Sequence, residues 1–186
     1  KKSHIILLAM IRKGITSSHG QVGKIPEGFK PIFDGKTTNG WHPSRSTRHG
    51  SVPGYAGENG DLVIKEHPYG QGGLIFTNKK YRNFELYIEV KASWGCNSGI
   101  FLRSTEEGSA YQIELDLSRG TGALIGQGMR VSVGARPADI DTVWKNADWN
   151  SMRIRMDGDA PHITEWINAV HVFDVQERVK DKIAVR

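Results

Sequence analysis

Asn83-Phe84-Glu85-Leu86-Tyr87-Ile88-Glu89-Val90-Lys91 sets Phe84, Leu86, Ile88 and Val90 at alternate positions against Glu85, Tyr87, Glu89 and Lys91. A period of two held over eight residues describes an antiparallel strand with one face buried and one in water. Working outward, Gly60-Asp61 leads into Leu62-Val63-Ile64 and Gly72-Gly73 into Leu74-Ile75-Phe76. Further strand-like runs follow at Ser98–Arg103, Tyr111–Leu117, Met129–Val133, Trp149–Met156, His162–Ile167 and Val170–Val175, with Asp157-Gly158 marking a turn. No long helical period interrupts them. Many short strands joined by Gly-rich turns predict an all-β, two-sheet antiparallel sandwich.

Composition agrees with that architecture. The 186 residues fit one domain with a real core, and 22 glycines exceed the usual share, as a turn-rich chain requires. The expected organisation is an N-terminal segment and linker over residues 1–24, then a single sandwich domain over 25–186. Lys and Arg exceed Asp and Glu by 25 − 20 = +5, but the basic residues are scattered. Without a basic stripe, no nucleic-acid partner is expected. Cys96 has no cysteine partner for a disulfide or a metal knuckle, and no apolar run approaches a transmembrane span. Lys1 and Lys2 ahead of Ile5–Ile11 supply part of an export signal, although Arg12 and Lys13 close the run without a small-residue cleavage site. A periplasmic or secreted location is the expectation.

Alternation also sorts side chains into faces. In Tyr111-Gln112-Ile113-Glu114-Leu115-Asp116-Leu117 the apolar set faces the core, which leaves Gln112, Glu114 and Asp116 in one polar row on the other side. Gly99-Ile100-Phe101-Leu102-Arg103 is apolar on both faces, like a covered central strand, and the arginine at its end is placed to pair with the Glu114/Asp116 row. The plainer alternative is a solvated strand face with an ordinary ion pair.

A family resemblance enters on segments taken in order. These are Gly28-Phe29-Lys30-Pro31-Ile32-Phe33-Asp34-Gly35-Lys36, Gly40-Trp41-His42, Gly57-Glu58-Asn59-Gly60-Asp61-Leu62, Gly72-Gly73-Leu74-Ile75, Tyr81-Arg82-Asn83-Phe84-Glu85-Leu86, Asn97-Ser98-Gly99-Ile100-Phe101-Leu102-Arg103 and Trp149-Asn150-Ser151-Met152-Arg153. Together they resemble the 3-keto-disaccharide hydrolase domain family. That resemblance implies a concanavalin-like jelly-roll whose concave sheet binds sugars, with cleavage of glycosides oxidised at C3 as its activity. Family members usually read Gly-Gly-Ile-Tyr-Gly-Glu where this chain has Gly122-Ala123-Leu124-Ile125-Gly126-Gln127, so an aromatic and a carboxylate are replaced. The hairpin usually written Trp-x-Asn-Gly is Trp166-Ile167-Asn168-Ala169, and alanine is a poorer residue than glycine where φ is positive. The family's two C-terminal strands have no counterpart before Arg186. The sandwich is therefore expected to be missing or altered at that edge: either the chain is a fragment, or the Ile5–Met10 run replaces part of the missing edge.

The implied chemistry assigns roles. A ketone at C3 acidifies the hydrogen at C2, so a base can form an enolate, the C1 substituent is expelled, and water adds back. Glu114 and Asp116 are the candidate base and acid, since two carboxylates on one strand face bias each other's pKa upward. Arg103 is the candidate partner of the enolate oxygen. His49, in a His-Gly loop resembling the family's, could hold a hydroxyl or shuttle a proton. Trp94 and Trp166 are candidates to stack a pyranose ring, with core packing as their alternative. Gln112, Asn97 and Gln127 complete the expected substrate contacts, and His42 and His67 are secondary candidates. No cofactor or dedicated metal site is expected. Asn97, Glu114 and Asp116 are oxygen donors of the type calcium accepts, though without a specific ligand spacing. Two functions remain open, an enzyme cleaving 3-keto-glycosides and a carbohydrate-binding sandwich that lost its base, with Gln127 favouring the second.

Overall fold

The computed structural model describes residues 4–8 (backbone), 26–46, 49–50, 54–65, 72–93, 96–116, 120–131 and 134–178. The elements in chain order are β1 (His4–Leu8), β2 (Trp41–Pro43), β3 (Gly54–Glu58), β4 (Asp61–Lys65), β5 (Ile75–Thr77), β6 (Phe84–Val90), β7 (Asn97–Ser104), β8 (Ala110–Asp116), β9 (Leu124–Gln127), the one-turn helix α1 (Ile140–Val143), β10 (Asn150–Asp157), β11 (His162–Ile167) and β12 (Val170–Gln176). They form a six-stranded sheet in the order β2-β5-β1-β7-β8-β9, a four-stranded sheet in the order β12-β11-β10-β6, and a β3-β4 hairpin. The hydrogen-bonded neighbours pair antiparallel. No helix among the described residues is long and apolar enough to cross a membrane.

Two inner faces make the core. Ile100 and Leu102 of β7 and Ile113 and Leu115 of β8 meet Met152, Ile154 and Met156 of β10 and Ile163 and Ile167 of β11 in one buried cluster. The chain is thus a β-sandwich, and the alternation in 83–91 is explained. Leu86 and Val90 are buried inward, while Glu85 pairs with Arg153 on the outer face.

Two strand assignments change. Residues 129–131 are not in a strand, and 132–133 lie outside the described residues; the strand in this region is Leu124–Gln127, which hydrogen-bonds to β8. The Ile5–Met10 run enters the sheet as His4–Leu8 but does not cover an edge. It lies between β5 and β7, with Ile6 opposite both Phe76 and Phe101. An unbroken apolar run suits a strand with neighbours on both sides better than an edge strand. At the β11-β12 hairpin, Asn168 and Ala169 both take positive φ (50° and 67°), the geometry of a two-residue primed turn with an alanine where glycine is easier.

Candidate functional site

The outer face of the six-stranded sheet carries the row that the alternation predicts. Tyr111, Ile113 and Leu115 belong to the core, so Gln112, Glu114 and Asp116 project on the opposite side. Gly99 is opposite Glu114, Phe101 opposite Gln112 and Asn97 opposite Asp116. Gln112 Nε2 donates to Glu114 Oε1 at 2.7 Å. Glycine at 99 is what permits this, because a Cβ there would lie 2.5 Å from Gln112 Nε2 and 2.8 Å from its Cγ. The Gln112 side chain therefore lies across the β7 backbone and holds the half-buried Glu114 carboxylate. Asp116 is only 3% exposed, whereas Asn97 is exposed, so Glu114 is the carboxylate of the row that is open to a ligand. On the next strand Gln127 is opposite Ala110 and Ile125 opposite Gln112, both half-exposed and on this same face.

On the other side of Gln112 the face is covered. Register aligns His42, Phe76, Ile6, Phe101, Gln112 and Ile125 in a single row across all six strands. The His42 ring stacks on Phe76 with centroids 5.5 Å apart, and the His49 ring meets Phe101 edge-on at 5.7 Å. Phe76, Phe101, Leu74 and Ala110 form a second buried cluster. The β7-β8 hairpin closes over it. A Cβ at Gly108 would lie 2.6 Å from His49 Cδ2 and 2.7 Å from Leu74 Cδ1, and Gly108 has φ of +79°. Glycine is required there both by the contact and by the backbone. His49 Nε2 is consequently buried, with the ring packed between Phe101 on the sheet and Gly108 on the hairpin.

Arg103 does not join the carboxylate row. Its φ is +51°, where the β1-β7 register also shifts, and this kink ends the alternation that places Gly99 and Phe101 outward. Its Nε donates to Arg82 O at 2.7 Å and a terminal nitrogen to Asn83 Oδ1 at 3.2 Å, toward the four-stranded sheet. Burial lowers its pKa from the ordinary value, while Tyr111, on the core side of β8, opposes that shift. Trp166 is likewise elsewhere. It stands on the outer face of the four-stranded sheet, with the Arg153 guanidinium 5.1 Å from its ring and His171 edge-on at 5.8 Å. Inward positions on β11 belong to Ile163, Glu165 and Ile167, so period two directs Trp166 to the far side of the sandwich from Glu114. Trp94 and His67 lie outside the described residues.

Sequence reasoning missed two features. His42 is bridged between Asn78 Oδ1 (2.6 Å from Nδ1) and Glu106 Oε1 (3.2 Å from Nε2). Glu106 is 64 positions away, and no local pattern joins them. Glu165 is fully buried with neither carboxyl oxygen hydrogen-bonded among the described residues, and burial raises its pKa well above the ordinary value. Its position between Ile163 and Ile167 was the available signal. Among the described residues, no three His, Cys, Asp or Glu side chains converge as a metal site.

Comparison with known proteins matches residues 28–184 to a family model described as a 3-keto-alpha-glucoside-1,2-lyase-like domain. A 3-keto-disaccharide hydrolase of Bacteroides thetaiotaomicron is 39% identical over 87 residues, which cover 43% of this chain and 29% of that protein. The matched stretch is therefore less than a third of the relative's length. A crystal structure of a Parabacteroides distasonis protein, provisionally named as a glycosyl hydrolase, superposes with a TM-score of 0.54 at 20% identity, covering 78% of this chain and 70% of that one. At that identity the likeness speaks for the sandwich fold.

Proposed function

The chain belongs to the 3-keto-alpha-glucoside-1,2-lyase-like domain family, and from that premise we propose that it cleaves 3-keto-glycosides on the outer face of the six-stranded sheet, in the manner of a concanavalin-like sandwich. One observation carries the reading: Glu114, half-exposed and held by Gln112 above Gly99, is the accessible carboxylate of the polar row.

In this mechanism Glu114 takes the C2 proton and the C2–H electron pair moves into the C3 ketone, giving an enolate. The enolate collapses, the C1–O bond breaks, and the proton held on Glu114 passes to the departing oxygen. Glu114, again ionised, then removes a proton from water as its oxygen adds to C1 of the enone, and returns that proton to C2. A single carboxylate acting in both half-reactions suits a face on which Asp116 is buried. Gln112 orients the carboxylate through a charge-assisted hydrogen bond. The sugar is expected to arrive over β8 and β9, beside Ile125 and Gln127.

Wild-type protein incubated with 3-keto-trehalose and simple 3-keto-glucosides is expected to release a 3-keto sugar detectable by mass. Glu114→Gln is expected to lower kcat by about a hundredfold or more while retaining binding, because the amide keeps hydrogen bonds but cannot take the proton. The competing reading, a sugar-binding sandwich without turnover, draws on Gln127, which stands on this face where the family usually writes a carboxylate. Binding of the same sugars without any release by the wild type would select it.

A further inference from the structure

The outer face of the six-stranded sheet is open on one side of Gln112 and shut on the other. Glu114, Ile125 and Gln127 are half-exposed, whereas Phe76 and Phe101, in the same transverse row as Gln112, are 0% and 3% exposed. Two stacks close that end. His42 stands on Phe76 and reaches Glu106; His49 stands against Phe101 and under Gly108. Both stacks end in the β7-β8 hairpin. Ser44 Oγ also donates to Glu106 O at 2.9 Å, so the hairpin is tied by side chain and main chain to β2 and the turn after it. At about 4.8 Å per strand, His42 and Gln112 are roughly 19 Å apart across the sheet, so the hairpin roofs the intervening strands rather than one residue.

We infer that this hairpin, latched by His42 and Glu106, is the specificity wall of the site: it admits a terminal 3-keto ring and excludes one extended at O4. The inference rests on the proposed function and deepens it. C1 and O4 lie at opposite ends of a pyranose. A leaving sugar on C1 needs the open side over β8 and β9, which turns O4 toward the Phe101–His49 stack. A substituent on O4 would have to occupy the volume of His49 and Gly108, and a packed stack standing on the sheet resists such displacement. His42 and Glu106 touch neither substrate nor reacting atoms. They are positioning residues.

The test compares two probes on the full chain: cellobiose with the ketone on its non-reducing ring, and cellotriose with the ketone on its middle ring, which carries glucose on O4. Wild type is expected to favour the first in kcat/KM by at least about tenfold. His42→Ala and Glu106→Gln are each expected to speed amide hydrogen exchange at Gly108 and Ser109 and to narrow that preference by about fivefold, whereas His42→Gln, able to bridge the same partners, retains most of it. Equal handling of the two probes by wild type would overturn the wall while leaving the reaction standing. So would a loosened hairpin with an unchanged preference. If wild type neither cleaves nor binds either probe, the sugar-site reading itself fails, and the inference with it.

Discussion

Glu165 offers the sharpest test of how the sandwich is held together. It projects into the core from β11, between the fully buried Ile163 and Ile167, opposite Ile154 on one neighbour and Phe173 on the other. Its carboxyl has no hydrogen-bond partner among the described residues, and burial holds its pKa well above the ordinary value of 4.5. The folded protein therefore keeps a proton that the unfolded chain gives up. Its stability contribution is complete below pH 4.5 and falls as pH rises toward the raised folded value, by up to about 1.4 kcal/mol per pH unit. Glu165→Met keeps an unbranched side chain of similar length and removes both the orphaned oxygens and the proton. Leaving a buried polar group without a partner costs about 1–3 kcal/mol, so the variant should gain at least that much at neutral pH. Urea unfolding of both proteins at unit steps from pH 4 to pH 8 isolates the effect, since every other titrating group cancels in the difference. The advantage of the methionine variant should be smallest at pH 4 and grow with pH. Parallel stability curves, or a methionine variant that is less stable at pH 8, would show that Glu165 is not held protonated and unpartnered in the core.

Three further outcomes follow from the geometry. Ala169→Gly relieves a left-handed alanine in the β11-β12 turn and should raise stability by about 0.5–1 kcal/mol in thermal melts, while Ala169→Val should lower it. Gly99→Ala would drive a Cβ into the Gln112 side chain, so turnover of 3-keto-glucosides should drop by about tenfold or more as Glu114 loses its support; unchanged kinetics would dissociate the Gln112–Glu114 pair from activity. Trp166→Ala should leave sugar affinity within about twofold of wild type, since Trp166 packs with Arg153 and His171 on the other sheet, and a larger loss in titration calorimetry would move the binding face.

How far the sequence reaches is clearest strand by strand. Period two in 84–90 and 111–116 identifies the strands and their core-facing sides, because the apolar side chains at alternate positions share the face that enters the core. The same rule shows Glu114 sharing a face with Gln112. It fails at Arg103, where a positive φ inside the strand redirects the side chain, and nothing in an arginine announces that conformation. It gives the face of Trp166 but not which sheet β11 joins, and that decided its distance from the site. The central place of His4–Leu8 was written in its unbroken apolar run, which alternation-based reading undervalues. The pairing of His42 with Glu106 was invisible for a different reason. Their contact depends on a hairpin folding back over four strands, a non-local closure that no spacing encodes.

The most direct test of C2 deprotonation on this sheet face is solvent isotope incorporation. Wild-type protein would turn over 3-keto-trehalose in deuterium oxide, with the released 3-keto-glucose analysed for deuterium at C2 by mass and NMR before the free sugar can exchange. Deuterium is expected at C2 in the product formed by wild type, with neither product nor exchange for Glu114→Gln. Released sugar that retains its original hydrogen at C2 would contradict elimination, even with cleavage itself established.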